Sequence, residues 1–233
     1  MRPKIEQQGL GKVGWSLLLI GCFVAGVFII NFIFPYFFKH LFYPPRADSI
    51  WSAAGLGDLD YVERELESGV DPNAIQESTG ATPLERASVH GHMDVMRRLL
   101  QAGADPDFGI AVVTAAVNNE PEAISLLISA GASPDQQDSR GWSAIHHAAN
   151  RGHADVIEVL VRAGVDVDSG PKEWMAPLHM AAMTAKLEAV EKLLELGAKK
   201  DALDAAGNRP IDYANRTYPP LAREYSEIRK LLK

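Results

Sequence analysis

The residues of this 233-residue chain that could do chemistry are seven histidines, one cysteine and a scatter of serines and carboxylates. Six of the histidines fall between His90 and His179. Imidazole is the commonest metal ligand and general base near neutral pH, so such a concentration invites a zinc or acid–base reading. Serine nucleophiles of the hydrolase kind need a Gly-x-Ser-x-Gly elbow, and the chain has none. No glycine-rich loop follows a strand to cradle a phosphate. Cys22 lies inside an apolar run, which removes it as a nucleophile if that run crosses lipid, and as the only cysteine it allows no disulfide framework. What the histidines can do depends on the elements that carry them.

Those elements repeat. A helix-ending glycine returns as Gly69, Gly103, Gly131, Gly164 and Gly197, at spacings of 34, 28, 33 and 33 residues. A fixed period in this range marks a solenoid. The most regular unit runs from Gly141 to Asp168. Its opening turn is Gly141-x-Ser143-Ala144-Ile145-His146, its first helix carries Ala148-Ala149 and ends in Gly152-His153, and its second ends in Leu160-Val161-x-x-Gly164. The pattern resembles the ankyrin repeat. The resemblance implies an all-α solenoid of about six helix-pair units with short hairpin tips. It also implies binding of other proteins through the tips and the outer face of the first helices, with no shared catalytic residue, cofactor or metal.

The units are expected at about 47–73, 74–107, 108–135, 136–168, 169–201 and 202–233. The first starts directly on a helix. The second has Thr82-Pro83-Leu84 at the turn into its first helix, where Thr82 can cap and Pro83 has no donor to waste, but Glu85 replaces the family's histidine. The third is five residues short and lacks its hairpin tip, with Asn118-Asn119 in place of Gly-His. The fifth has Trp174 in place of glycine and Ala185-Lys186 in place of Gly-His. The sixth departs at Tyr218-Pro219-Pro220 and ends on an amphipathic helix from Leu221 to Lys233. Truncated or atypical outer units fit caps, which have one neighbour each.

This placement disposes of most of the histidines. His146 and His179 fall at the family's Leu-His position, where the ring bonds backbone of the neighbouring unit. His92 and His153 fall at Gly-His, also structural. Only His90 and His147 are expected on the exposed side of a first helix, too far apart to share a metal. The chain is therefore read as a binder, not an enzyme, with no cofactor and no small-molecule substrate. The expected partner-binding residues are Arg86, His90, Asn118, His147, Asn150, Arg151, Met180 and Met183 on first helices, with Arg140 and Trp174 at tips. Aromatic and arginine side chains supply most hot spots, and methionine adapts to irregular surfaces.

The N-terminal region reads differently. After a polar tail at 1–12, Leu17 to Phe38 is 22 residues without a charge. At about 1.5 Å per residue this run spans a hydrocarbon core of about 30 Å. Trp15 stands at one end and Phe34, Tyr36, Phe37 and Phe38 at the other, as interfacial rings do. A single transmembrane helix at 13–38 is expected, followed by a linker at 39–46. Leu19-Ile20-Gly21-Cys22 also resembles a bacterial lipobox, a remote alternative. Arg2, Lys4 and Lys12 before the span against Lys39 and Arg46 after it put the N-terminus in the cytoplasm and the repeats outside, in the periplasm if the membrane is a Gram-negative inner one.

Residues 1–46 hold five of the chain's 23 basic and one of its 30 acidic side chains, leaving the repeats at net −11. That balance argues against nucleic acid, whose phosphates need a basic footprint. The expected function is a membrane-tethered scaffold that presents ankyrin repeats to another protein of the cell envelope. An immunity-type inhibitor that occludes a toxin or enzyme is the alternative.

Overall fold

Short helices separated by tight turns, most of them at glycine, account for the architecture. The computed structural model describes residues 48–170, 175–215 and 219–233. The expected tail, transmembrane helix and linker lie outside these residues, as does Trp174; among the described residues no helix is long and apolar enough to cross a membrane.

The described helices form six pairs: α1 Ile50–Leu56 with α2 Leu59–Glu67, α3 Pro83–Ser88 with α4 Met93–Gln101, α5 Ala111–Val117 with α6 Pro121–Ser129, α7 Ala144–Arg151 with α8 Ala154–Arg162, α9 Pro177–Met183 with α10 Leu187–Glu195, and α11 Pro210–Ala214 with α12 Ala222–Leu232. A 3₁₀ turn, Pro219–Leu221, leads into α12. Strand pairing among the described residues is limited to one antiparallel bridge between Gln137 and Ser143, at the tip of the fourth unit.

Most first helices carry their own start signals, α5 being the exception. Ser49 caps α1, accepting from Ser52 N. Thr82 and Glu85 form a reciprocal capping box on α3, with Glu85 N donating to Thr82 Oγ1 at 3.1 Å and Thr82 N to a Glu85 oxygen at 2.6 Å. Proline opens α3, α9 and α11, where its fixed φ suits a first turn. The chain then turns into the second helix through a left-handed residue: Gly57, Gly91, Asn119, Gly152 or Ala185. In the third unit Asn119 and Glu120, not Asn118 and Asn119, therefore hold the Gly-His positions. Asn is the non-glycine residue that tolerates this conformation best; Ala185, at φ 56°, is strained there.

Successive first helices stack on one another, and each packs on its own second helix. Close stacking is possible because the facing residues are small. Ala53-Ala54, Ala87-Ser88, Ala115-Ala116, Ala148-Ala149 and Ala181-Ala182 are all fully buried. The second helices add larger plugs, among them Met96, Leu99, Leu127, Ile157, Leu160 and Leu193. The second helices of the second and third units, α4 and α6, pack against one another least of the successive pairs.

Candidate interaction face

The face built by the first helices carries most of the residues expected to bind a partner. Arg86 on α3 and Asn150 on α7 are half-buried, His90 just past α3, Asn118 just past α5 and Arg151 at the end of α7 are exposed, and Met183 on α9 is half-buried. Arg140 is exposed at the tip of the fourth unit. Two expectations of exposure need correction. His147 is 5% exposed and Met180 is 2% exposed.

The reason is the hairpin tip. His147 turns back from its helix, and its Nε2 lies 3.0 Å from Asp138 Oδ2. Trp142 covers it, ring centroids 5.3 Å apart. Asp138 also accepts from the backbone N–H of Arg140 (2.8 Å) and Trp142 (3.0 Å), and from the Arg140 guanidinium, which stacks over the Trp142 ring at 4.9 Å. Burial opposes ionisation of Asp138, but the bonds from Trp142, Arg140 and His147 outweigh it and hold the carboxyl down at about 2. Burial pushes the His147 pKa down, with Asp138 opposing. The same device recurs 66 residues on, where the Tyr213 hydroxyl donates to Asp204. In the fifth unit the corresponding letters are Pro171 and Met180. Proline has no side-chain acceptor to offer an imidazole, and the residue in the histidine's place is apolar and buried.

Apart from the exposed His90, the other described histidines are framework. His179 Nε2 lies 3.1 Å from Asn208 O in the next unit, and His92 Nε2 lies 3.1 Å from Gly55 O in the preceding one. A carbonyl only accepts, so each of these nitrogens carries the proton. His153 is turned to the Val117 carbonyl. Ser143 Oγ lies 2.7 Å from His146 Nδ1, closing a capping box, while the far side of the buried ring faces the backbone of Ser169 and Gly170. Burial and the neighbouring His147 bring His146 down to about 4. Among the described residues no three His, Cys, Asp or Glu side chains are grouped to hold a metal.

Glu85 explains why one unit departs from the histidine rule. Its Oε1 accepts from Ile110 N in the third unit at 2.8 Å while Oε2 caps its own helix. Deleting the tip of the third unit brings a backbone N–H to the place where His179 meets a carbonyl. A donor there needs an acceptor opposite, and glutamate supplies it. Gln136 of the fourth unit completes the arrangement, accepting from Val112 N at 3.2 Å and donating to Pro106 O at 3.0 Å. The first turn of α5 is thus capped by both neighbours.

Charge is segregated between the two helix layers. The second helices α2 to α10 carry eleven carboxylates, Asp60, Glu63, Glu65 and Glu67 among them. The first helices α1 to α9 carry one, Glu85, with both oxygens engaged. Sequence reading by unit missed this contrast and missed the contribution of α1. Ser52, Gly55 and Leu56 form a groove with Arg86, Val89 and His90, and Leu56 is 46% exposed. The signal was available: an apolar residue beside the helix-ending Gly57, after the buried Ala53-Ala54 pair.

Comparison with known proteins agrees with this architecture. A family model described as Ankyrin repeats (3 copies) matches residues 112–204, and one described as Ankyrin repeat matches residues 79–109. The chain is 36% identical over 100 residues to SH3 and multiple ankyrin repeat domains protein 1 of Homo sapiens, a match covering 40% of this chain and 5% of that protein. It is 33% identical over 105 residues to glycerophosphocholine phosphodiesterase gde1 of Schizosaccharomyces pombe, covering 42% of this chain and 9% of that protein. These matches span only a small part of either relative. The human ASB11 ankyrin repeat domain superposes with a TM-score of 0.65 at 25% identity, covering 78% of this chain and 84% of that one. With repeats matched in sequence and reproduced in fold, the chain belongs to the ankyrin-repeat family.

Proposed function

We propose that this chain is a membrane-tethered interaction module whose first-helix face holds another protein of the cell envelope. Ankyrin repeats mediate protein–protein interaction. The observation that carries the reading further is the contrast between the two layers. One layer is a solvated acidic surface. The other presents Arg86, His90, Asn118 and Arg151 on a scaffold whose remaining described histidines are engaged in structural contacts. The uncharged run from Leu17 to Phe38 supports the anchor, and the flanking charges support an external repeat domain.

Two measurements test this. The full chain is purified from the membrane fraction of its native cell beside a variant combining Arg86→Ala, Asn118→Ala and Arg151→Ala. A protein retained by the first and lost by the second, with both equally folded by circular dichroism, is the expected result; identical recovery of proteins by both contradicts the reading. A reporter active only outside the cytoplasm, fused after Lys233, is expected to be active, and silence reverses the orientation.

A further inference from the structure

The groove between α1 and α3 is chemically specific. Its lining is Ser52, Gly55, Leu56, Arg86, Val89 and His90: a guanidinium, an imidazole, two aliphatic side chains and no carboxylate. Among the described residues Arg86 has no acidic partner, and its Nε is buried without an acceptor. A buried donor with no acceptor is uncommon, and a guanidinium free of any ion pair gives up little by turning to an incoming carboxylate. Leu56 lies at the edge of the groove with nearly half its surface in water. Beyond the groove, α5 adds Thr114 and Val117 and, just past its end, Asn118, all uncharged. Glu85, the one carboxylate on the first helices α1 to α9, has both oxygens occupied. The helices of this face from α1 to α7 offer a negatively charged segment no free carboxylate, whereas the second helices α2 to α10 carry eleven; Asp48, which accepts from Ser52 Oγ at 2.8 Å, and Glu120, beside Gly91, stand at the margins of the groove.

Resting on the interaction reading above, we propose that this groove receives an acidic side chain from an extended segment of the partner protein, with Arg86 and His90 on its carboxylate and Leu56 and Val89 against an apolar neighbour. Arg151, at the far end of α7, shares its recess with Lys186, Glu188 and Glu224 and contributes less. One local cationic groove on repeats of net charge −11 suits a single carboxylate and not a polyanion such as nucleic acid, whose phosphates need an extended basic footprint. Complementary charge also speeds encounter and weakens with salt.

The test is fluorescence anisotropy on the full chain with a labelled twelve-residue peptide, a Glu-Leu pair at the centre of a Gly/Ser background and both ends blocked. The expected result is saturable binding that weakens with salt. Binding falls about tenfold for a Gln-Leu peptide, as loss of one charge-assisted bond predicts. It falls about tenfold for Arg86→Gln, severalfold for Leu56→Ser, and less than about twofold for Arg151→Gln. Arg86 is half-exposed on the face, so thermal melts are expected to match the wild type. No binding at millimolar peptide, equal binding of the Gln-Leu peptide, equal losses for Arg86→Gln and Arg151→Gln, or preference for a thymidine octanucleotide each overturns the proposal. So does preference for the same peptide carrying its glutamate as a free C-terminal residue. If any of these occurs while the alanine triple variant still loses a cellular partner, the interaction reading survives and the acidic-ligand inference alone falls.

Discussion

Glu85, His146 and His179 occupy one position in successive framework roles, and what each faces decides its type. His179 donates to a carbonyl of the next unit; Glu85 accepts from the Ile110 N–H. Restoring the family's letter is therefore expected to fail. If a histidine at 85 accepts from Thr82 N through Nδ1, its neutral ring presents Nε2–H to another N–H. Glu85→Ala is expected to cost about 2–4 kcal/mol, because one buried and one part-buried donor lose their acceptor, and Glu85→His about as much. Urea unfolding followed by circular dichroism measures both, and a silent Glu85→His contradicts this account. The buried imidazoles also set a pH dependence. His146 at about 4, with His147 and His153 likewise lowered, lies below the ordinary 6.5. The unfolded chain then binds more protons between those values, so stability falls as pH drops from 7 towards 4. Asp138 and Asp204, at about 2, hold their contribution until the pH falls below the ordinary carboxylate value. The urea midpoint is expected to decline from pH 7 to 4.5, and less steeply in His146→Gln.

At the scale of the element, the third unit is the one that cannot be read from its own letters. The 28-residue spacing showed the deletion, and the Ala115-Ala116 pair showed the helix. The caps of α5 were not legible, because they come from Glu85 and Gln136, in the units before and after. The exposure of His147 and Met180 was misread for a related reason. Position on a helix gives the direction of a side chain but not the hairpin folding back over it. Gly109 marks how tightly the shortened loop fits: at φ 109° an added Cβ would lie 2.8 Å from the Glu85 carboxylate. Gly109→Ala is expected to destabilise by about 2–4 kcal/mol, from strain and a displaced cap together. Ala185→Gly is the converse. Ala185 holds a left-handed turn at φ 56°, and glycine there is expected to raise stability by about 1 kcal/mol. Thermal or urea unfolding of the two variants gives opposite signs on this account.

Across the whole molecule, the repeat period carried the fold, and the capping and alanine pairs that carried the period are the structure's own framework. The binding face was only partly legible, since it is made of what the period leaves free. Arg86, His90, Asn118 and Arg151 emerged from the sequence alone; α1's share of the groove needed the stacking of α1 on α3. The central claim is that a partner lies on the first-helix layer. It is tested most directly by placing a photo-crosslinking residue in the full chain, in its native cell, at His90, Asn118 or Asn150 on that layer, or at Glu65, Ser125 or Glu191 on the other. One discrete protein cross-linked from the first three positions and from none of the second three is the predicted result. The same adduct from Glu65, Ser125 and Glu191, with none from His90, Asn118 and Asn150, contradicts the account.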